Sequence, residues 1–238
     1  MNSSDIWAII PARGGSKSIP LKNMKLLGGA PLIDYVIKVA KNSPEITRVI
    51  CSTDHDLIKK HCLKRGIEVS SRPDHLSGDD ISTLDVIIHL LQEIIDRGEN
   101  LPELIVLFEP TSPFVQKSHV SECLNLMRIN KEFTSAQTIV EPPPNHHAYN
   151  QRTFEDGCVK FRFPNERLNK INKQQKPKFY VHGNLRVLRS KSVIEFNDLF
   201  GLNSIGVCVP KKFALDVDGP EDFEIAEMYL SSRFIPLK

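Results

Sequence analysis

The stretch IIPARGGSKSIPLKNMKLL, residues 9–27, runs from an apolar segment into a loop with two glycines, one arginine and three lysines. An apolar run that stops at such a loop is typical of a buried strand whose carboxyl end opens onto a binding site. Glycines let backbone N–H groups approach an anion, and arginine and lysine attract phosphate oxygens. The loop lacks the spacing of a P-loop and of a dinucleotide-binding fingerprint. It therefore predicts either a phosphate-binding loop or a solvated basic turn.

Apolar, strand-like segments alternate with helical ones through the first half of the chain. The strand candidates are WAIIPA, TRVICST, IEVSS and ELIVLFEP, and the helix candidates are PLIDYVIKVAKNS, HDLIKKHCLKRG, STLDVIIHLLQEIIDRG and KSHVSECLNLMRINK. In the third helix the apolar residues follow the i, i+3, i+4, i+7 spacing, and Ser82 with Asp85 resembles a capping box. The alternation predicts an α/β fold with a mostly parallel sheet covered by helices on both faces.

Polar clusters follow three of the predicted strands. RGGSKSIPLKN follows the first strand, STDHD the second, and EPTSP follows ELIVLF. Because ligands bind beyond the carboxyl ends of the strands in open parallel sheets, we expect these clusters to form one site. Glu109 is placed where a substrate could lie, whereas Thr111 and Ser112 either contact that substrate or cap the next element. Arg72, in SRPDHLSGDDISTLD, either holds a base or ribose or belongs to an ordinary loop.

The segment ALDVDGPEDFEIAEMYL carries two carboxylates two residues apart. On an extended chain this spacing puts Asp216 and Asp218 on the same side. Paired carboxylates can share a hard cation such as Mg²⁺ with substrate phosphates. The structural interpretation is that Asp218, before Gly219 and Pro220, caps a helix. The two interpretations are compatible.

Residues 141 to about 180 interrupt the alternation. EPPPNHH is a stiff proline segment, and the residues that follow it are predominantly basic. We interpret the region, at about 141–190, as an inserted subdomain that could include a β-arm pairing with another subunit. The α/β pattern resumes with NLRVLRS, SIGVCVP and the helix PEDFEIAEMYL, so we expect residues 1–238 to form a single domain around the insertion.

The composition bounds the class of protein. The 238 residues are 40% hydrophobic and 25% charged, and the net charge of +2 argues against a nucleic-acid binder. We find neither a signal peptide nor an apolar run long enough to span a membrane. The five cysteines are scattered without a CxxC pair, which indicates a reducing, cytoplasmic setting and not a zinc site or a disulfide framework. The eight histidines form no metal-ligand pattern.

Together and in this order, the motifs resemble those of the N-acylneuraminate cytidylyltransferase, or CMP-sialic acid synthetase, family. IIPARGGSKSIPLKN matches the family's first motif almost position for position, and the later matches are STDHDLI, RPDHLSGDDISTLD, EPTSP and DVDGPEDFEIAE. The resemblance spans roughly residues 6–230. It implies a Rossmann-like, GT-A-like nucleotidyltransferase fold with an inserted dimerisation arm, and a homodimer. It also implies that CTP and a nine-carbon keto-acid sugar give the CMP-sugar and pyrophosphate with Mg²⁺.

The resemblance also implies roles for individual residues, with Arg13, Lys22 and Asp218 as the catalytic candidates. It implies nucleotide contacts from Arg13, Gly14, Gly15, Ser16, Lys17 and Asn23 in the first loop and from Arg72 and Ser82 in the cytidine pocket. Lys22 would neutralise charge near the α-phosphate. Asp216 and Asp218 would hold the metal, and Asp218 could also help deprotonate the sugar hydroxyl. For the sugar we expect contacts from Glu109, Thr111 and Ser112, and a pairing of its carboxylate with Arg167 or Lys173 of the arm.

The chain departs from the family at several positions. The family usually has glycine where this chain has Ser18 and glutamine where it has Glu109. The Glu109 carboxylate would repel an acidic sugar unless it is protonated or faces an amine or hydroxyls. The sugar is therefore open between N-acetylneuraminate, legionaminate, pseudaminate and other nonulosonic acids. The alternatives are a same-fold nucleotidyltransferase for another sugar acid or nucleotide, and a nucleotide-binding protein without turnover.

Overall fold

A computed structural model describes residues 5–169 and 176–235 of the chain. Lys173 lies outside the described residues. In the described ranges the strands are, in chain order, β1 (Ile6–Pro11), β2 (Leu26–Leu27), β3 (Ala30–Pro31), β4 (Arg48–Thr53), β5 (Glu68–Ser71), β6 (Leu104–Leu107), β7 (Ser135–Val140), β8 (Arg152–Glu155), β9 (Cys158–Phe161), β10 (Val181–Arg189) and β11 (Ser204–Cys208). The helices are α1 (Leu32–Lys41), α2 (Asp56–Lys64), α3 (Thr83–Asp96), α4 (Lys117–Ile129), α5 (Pro164–Asn169), α6 (Ser190–Phe196) and α7 (Pro220–Ser231). None of these helices is both long and apolar enough to cross a bilayer.

Seven of the strands form one sheet in the order β11-β7-β10-β6-β1-β4-β5. β1 pairs in parallel with β4 and β6, β4 with β5, and β7 with β11, which confirms the predicted mostly parallel sheet. β10 is the exception, since it runs antiparallel between β6 and β7. The reversal is not predicted by the sequence pattern. After β7 the chain leaves the sheet and re-enters as β10 beside the same strand, and a strand that returns next to its predecessor from the same edge pairs with it in antiparallel orientation.

Helices cover both faces of the sheet because the strands are apolar on both sides. Ala8 and Ile10 point to one face, where α1, α2 and α4 bury their apolar residues. Trp7 and Ile9 point to the other face, where α3 and α6 pack. Side chains alternate along a strand, so a strand that is buried on both faces must be apolar at every position. The uninterrupted apolar run of β1 satisfies that requirement.

A third apolar cluster joins the loop after β1 to the last helix. The short strands β2 and β3 form a hairpin whose turn uses Gly28 and Gly29 at φ values of 54° and 85°, which glycine adopts without steric cost. Leu27 of this hairpin packs with Val217 and Phe223, at the entrance to α7 and within it. The cluster thereby brings the acidic segment before α7 next to the basic loop after β1.

Residues 141–169 and 176–180 belong to an arm between β7 and β10. In the described part of this arm, β8 and β9 make an antiparallel hairpin, and α5 follows it. The hairpin exposes large apolar side chains, among them Phe154 (74% exposed) and Val159 (61% exposed). The predicted role of this region in dimerisation stays a prediction.

Candidate active site

A cavity of about 290 Å³ opens at the carboxyl edge of the parallel strands. Its wall combines the loops after β1, β5 and β6 with the start of α3 and the segment before α7. Ten predicted site residues line it: Arg13, Gly15, Ser16, Lys22, Asn23, Arg72, Ser82, Glu109, Thr111 and Asp218. A larger cavity of about 770 Å³ lies between α1 and residues 113–118, and none of the predicted site residues lines it.

The basic side chains of the loop after β1 converge on one carboxylate that the sequence analysis missed. Arg13 donates to Asp79 Oδ1 at 2.8 Å and to the Gly78 carbonyl at 3.2 Å, and Lys17 lies 2.9 Å from Asp79 Oδ2. The hydrogen bond from Lys17 is the main cause that lowers the pKa of Asp79, and Arg13 adds to it. Arg13 and Lys17 are thus already placed to bind one anionic group together. The adjacent acidic letters in SGDD were the available sequence signal for this contact.

The two glycines of the loop have different roles. The N–H of Gly14 donates to Asp54 at 2.8 Å, and a Cβ at this position would lie 2.4 Å from the His55 ring. Gly14 therefore serves close packing against the loop after β4. A Cβ on Gly15 would meet no atom within 4 Å, and Gly15 and Ser16 face the cavity. No group in the described ranges accepts a hydrogen bond from the N–H of Gly15 or Ser16, so both donors are open to a ligand.

Ser18 does not need the conformational freedom of glycine. It is absent from the described non-glycine residues with positive φ, and its hydroxyl donates to the backbone carbonyl of Asp218. The residue in the left-handed region is Leu21, at φ 50°, directly before Lys22. The Asn23 amide donates to the Arg13 carbonyl at 2.9 Å. A hydroxyl and an amide therefore hold the loop, and the loop holds Lys22 at the cavity.

The acidic segment before α7 is extended, with Val217 buried between two exposed aspartates. The backbone N–H of Val217 donates to the Thr111 carbonyl at 2.7 Å, which ties the segment to the loop after β6. The carboxyl of Asp218 lies 3.2 Å from Lys22 Nζ. The predicted cap was wrong in detail, because Asp222 accepts the N–H groups of Asp218 and Gly219 at the start of α7. The Asp218 carboxylate is thus left facing the cavity.

Asp216 is exposed and does not line the cavity, but its carboxyl is close enough to the acidic groups of the cavity to respond to their charge. Burial of the carboxyl raises its pKa, the hydrogen bond with Thr111 opposes the rise, and the charges of Asp218 and Glu109 add to it. A cation between Asp216 and Asp218 would relieve this repulsion. No group of three acidic, histidine or cysteine side chains in the described chain is placed to hold a metal ion. A metal would therefore need substrate or water oxygens beside the two carboxylates, as Mg²⁺ commonly has.

Arg72 and Ser82 also line the cavity. Arg72 is 8% exposed, donates to the Ser52 carbonyl at 3.0 Å, and keeps a buried Nε without a partner in the described chain. Burial lowers the pKa of its guanidinium. Ser82 caps α3, where its hydroxyl accepts the N–H of Asp85 at 3.1 Å as the capping-box motif predicted. A buried arginine with an unused donor is placed to recognise an acceptor-rich ligand.

Glu109 is paired with two basic side chains that the sequence analysis missed. Arg186 Nη1 lies 3.2 Å from Glu109 Oε2, and His182 Nε2 lies 3.7 Å from the same oxygen. Burial acts to raise the pKa of Glu109, but His182 and the charge of Arg186 outweigh it and the pKa is lowered. The available sequence signal was a pair of arginines, Arg186 and Arg189, within the apolar run LRVLR.

Two predicted sugar residues do not line the cavity. Ser112 is buried in the turn after β6, where its N–H donates to the Glu109 carbonyl at 2.9 Å. Arg167 lies in α5 of the arm, 4.0 Å above the Phe161 ring, and donates to the Asn150 side chain at 2.9 Å. Thr111 does line the cavity, and its backbone carbonyl anchors Val217.

The chain is similar to known nucleotidyltransferases along most of its length. The N-acylneuraminate cytidylyltransferase of Escherichia coli O18:K1:H7 (strain RS218 / NMEC) is 28% identical over 221 residues, which are 93% of this chain and 51% of that protein. The enzyme of the same name from Oncorhynchus mykiss is 38% identical over 154 residues, 65% of this chain and 34% of that protein. The chain thus spans about half or less of the length of these curated relatives.

Solved structures show the same fold. A CMP-2-keto-3-deoxy-manno-octonic acid synthetase complexed with CTP superposes with a TM-score of 0.70 at 15% identity, covering 97% of this chain and 100% of that chain. The 4-diphosphocytidyl-2C-methyl-D-erythritol synthase of Anaerococcus prevotii DSM 20548 gives a TM-score of 0.66, with the same identity and coverage. Residues 7–200 match the model of the family described as cytidylyltransferase. The resemblance stated from the motifs is confirmed, and the chain belongs to the cytidylyltransferase family.

Proposed function

We propose that this chain transfers a cytidylyl group from CTP to a nonulosonic, sialic-acid-like sugar and releases pyrophosphate. One observation carries the proposal: the side chains of Arg13, Lys22 and Arg72 meet in a cavity whose wall also holds Glu109 and Asp218. Three cations in one cavity suit a triphosphate, and acidic groups beside them suit a metal and a hydroxyl nucleophile. The names of the curated relatives support the sugar class.

The chemistry asks the protein to position two substrates and stabilise phosphate charge. The anomeric oxygen of the sugar forms a bond to the α-phosphorus, the bond to the pyrophosphate oxygen breaks, and the hydroxyl proton passes to a base. Such a transfer needs no covalent nucleophile on the protein. Lys22 would neutralise the α-phosphate, and Asp218 would take the hydroxyl proton. Fixed cations in a site that excludes water stabilise such charge more than mobile ones do.

The basic loop would exchange one anion for another when nucleotide binds. Arg13 and Lys17 are held by Asp79 in this structure, and both would turn to the triphosphate. The open N–H groups of Gly15 and Ser16 would add uncharged donors. Arg72 and Ser82 would then border the cytidine, with the guanidinium as a hydrogen-bond donor to the base or ribose.

Mg²⁺ fits the donor set formed by Asp216 and Asp218. The raised pKa of Asp216, caused first by burial and then by neighbouring carboxylates, indicates a place that favours added positive charge. When bound, Mg²⁺ would neutralise phosphate charge and orient the triphosphate. Asp218 would then face both the metal and Lys22, which lies 3.2 Å away.

The arm supports the proposed homodimer. Its exposed Phe154 and Val159 are apolar side chains of the kind that subunit contacts bury. In a dimer, Arg167 would reach the partner's sugar site and pair with the sugar carboxylate, as predicted for Arg167 and Lys173. All five cysteines are free thiols, which supports a reducing compartment such as the cytoplasm.

Pyrophosphate release tests the proposal. The chain would be incubated with CTP, Mg²⁺ and a panel containing N-acetylneuraminate, legionaminate and pseudaminate, with each nucleotide triphosphate as a control. Release with CTP and one of these acids is expected. Release with another nucleotide or another sugar acid would support the same-fold alternative. Tight CTP binding without release from any sugar would support a binding protein without turnover.

A further inference from the structure

Glu109, an acidic residue of the cavity, contacts two basic side chains of strand β10. It follows β6 at the carboxyl edge, and Arg186 on β10 lies opposite Leu107, two residues earlier on β6. The antiparallel direction of β10 brings its first residues, including His182, past the end of β6. Both basic side chains approach the same oxygen, Oε2 of Glu109. The Glu109 side chain is 29% exposed and borders the cavity, and its other oxygen, Oε1, accepts no hydrogen bond from the described residues.

The ion pair between Glu109 and Arg186 is incompletely bonded, unlike the structural ion pairs of the same sheet. Arg189, on the same strand, makes three side-chain hydrogen bonds, to two carbonyls and a carboxylate. Arg186 makes one, and its buried Nε has no partner in the described part of the chain. Both ring nitrogens of His182 are likewise buried without a partner among the described residues. Unused buried donors are costly, so an arrangement that only stabilised the fold would use them.

We infer that Arg186 sets the charge of the sugar subsite and that Glu109 selects for a donor group on the sugar. Resting on the proposed function, the inference names the substrate class more narrowly. Arg186 compensates the Glu109 carboxylate, so a sugar acid can approach without net repulsion. An ionised carboxylate can only accept hydrogen bonds, so Oε1 requires a hydroxyl, an ammonium or an amide N–H at the position it meets. Arg186 is thus a positioning residue, because it acts through Glu109.

Charge compensation predicts a specific pattern of Michaelis constants. Arg186→Met leaves the carboxylate uncompensated and is expected to raise KM for the sugar acid about tenfold or more, with KM for CTP changed less than about threefold. Glu109→Gln combined with Arg186→Met removes both charges and is expected to restore most of the sugar affinity. Arg186→Lys keeps the charge and, because the contact is a single hydrogen bond, should stay within about threefold of the original KM. Such a rescue also separates the inference from simple misfolding.

The donor requirement is tested with pairs of sugar acids. The two members of a pair differ at one position of the sugar. One member carries a hydroxyl or an amide N–H there, and the other carries a hydrogen or an O-methyl group. The wild-type chain should prefer the donor at one position by about tenfold or more, and Glu109→Gln should weaken that preference. Arg189→Met is the matched control on β10. We expect this variant to be less stable than wild type and to have an unchanged KM for the sugar.

Calorimetric titration of the sugar acids in the presence of a CTP analogue with an α,β-methylene bridge measures sugar binding without turnover. If wild type turns over or binds a sugar acid and Arg186→Met changes neither its sugar KM nor its sugar affinity, the inference is wrong. A double variant no better than Arg186→Met would also overturn it. Sugar binding without pyrophosphate release would contradict the proposed function but not the inference. The same variants would then be compared by their affinity for the sugar. No binding and no release with any sugar acid would overturn both.

Discussion

Lys22 and Asp218 form an ion pair of 3.2 Å across a separation of 196 residues. The lysine side chain is 13% exposed, whereas the aspartate side chain is 75% exposed. Folding has therefore fixed the cation and left the carboxylate open to the cavity. This asymmetry suits a lysine that stays in place and an aspartate that exchanges partners when substrate arrives.

Asp218→Asn is expected to reduce turnover by about a hundredfold or more while the fold stays intact. The change removes the proposed metal ligand and base, and single electrostatic groups in active sites contribute on this scale. The free energy of unfolding should change by less than about 1 kcal/mol, because the Asp218 side chain is 75% exposed and asparagine keeps an oxygen that can accept from Lys22 Nζ. Steady-state pyrophosphate release and denaturant titration measure the two quantities. Glu221→Gln, on the first turn of α7, is the control, and a fully active Asp218→Asn variant would contradict the metal assignment.

The glycine pair predicts opposite outcomes for two alanine variants. In Gly14→Ala the new Cβ would lie 2.4 Å from the His55 ring and 2.7 Å from its Cβ, so the loop must shift. We expect a loss of stability of about 1–3 kcal/mol, which is typical of overpacking. Gly15→Ala meets no neighbour and should retain stability, but its methyl group narrows the cavity and should raise KM for CTP. Thermal denaturation and kinetics separate the two, and equal stability losses would be evidence against this assignment of roles.

Arg72→Met should weaken CTP binding without unfolding the protein. Arg72 is buried with an unpaired Nε, so its removal relieves a desolvation cost while it removes a donor from the cavity. KM for CTP is expected to rise about tenfold or more, with stability unchanged or higher.

Arg48→Met is the matched control for that variant. Arg48 donates to both carboxylate oxygens of Glu68, at 2.6 and 2.7 Å, and stacks on the Trp7 ring. The Arg48→Met variant should lose about 2 kcal/mol of stability, as expected for a broken, partly buried ion pair, and its KM for CTP should not change. If Arg72→Met binds CTP as wild type does, the guanidinium does not contact the nucleotide.

His119 should make the protein less stable as the pH falls below neutrality. It is 4% exposed in α4, and burial lowers its pKa to about 4, against a hydrogen bond with Asn184 that acts to raise it. In the unfolded chain a histidine has a pKa of about 6.5. The unfolded state therefore binds the proton first. The stabilisation that depends on neutral His119 is complete above about pH 6.5. The free energy of unfolding then falls by up to about 3 kcal/mol as the pH drops to 4.

His119→Gln tests that pH dependence because glutamine cannot take up the proton. Denaturant midpoints would be measured for both proteins between pH 4 and 7, and the difference between the curves isolates the histidine from titrating carboxylates. The wild-type curve should be the steeper one. Parallel curves would show that His119 becomes protonated in the folded state without cost.

The first half of the fold could be read from the sequence because its signals are local. The run WAIIPA and the helix STLDVIIHLLQEIIDRG correspond to β1 and to α3, with Ser82 at the predicted cap. A strand buried on both faces is recognisable by its continuous apolar run, and an amphipathic helix by its period. The antiparallel placement of β10 was not recognisable, because strand direction depends on the path of the arm and on which edges are free.

The sequence by itself determined the α/β class, the basic loop after β1, the paired aspartates and the family to which the chain belongs. Each of these features is encoded by residues that lie close together along the chain. Only the tertiary structure decided that Asp79 pairs with Arg13 and Lys17 and that Arg186 pairs with Glu109. Each is a contact between side chains from different elements. Such contacts depend on distance in space, which the apolar cores set when they fix the order and direction of the strands.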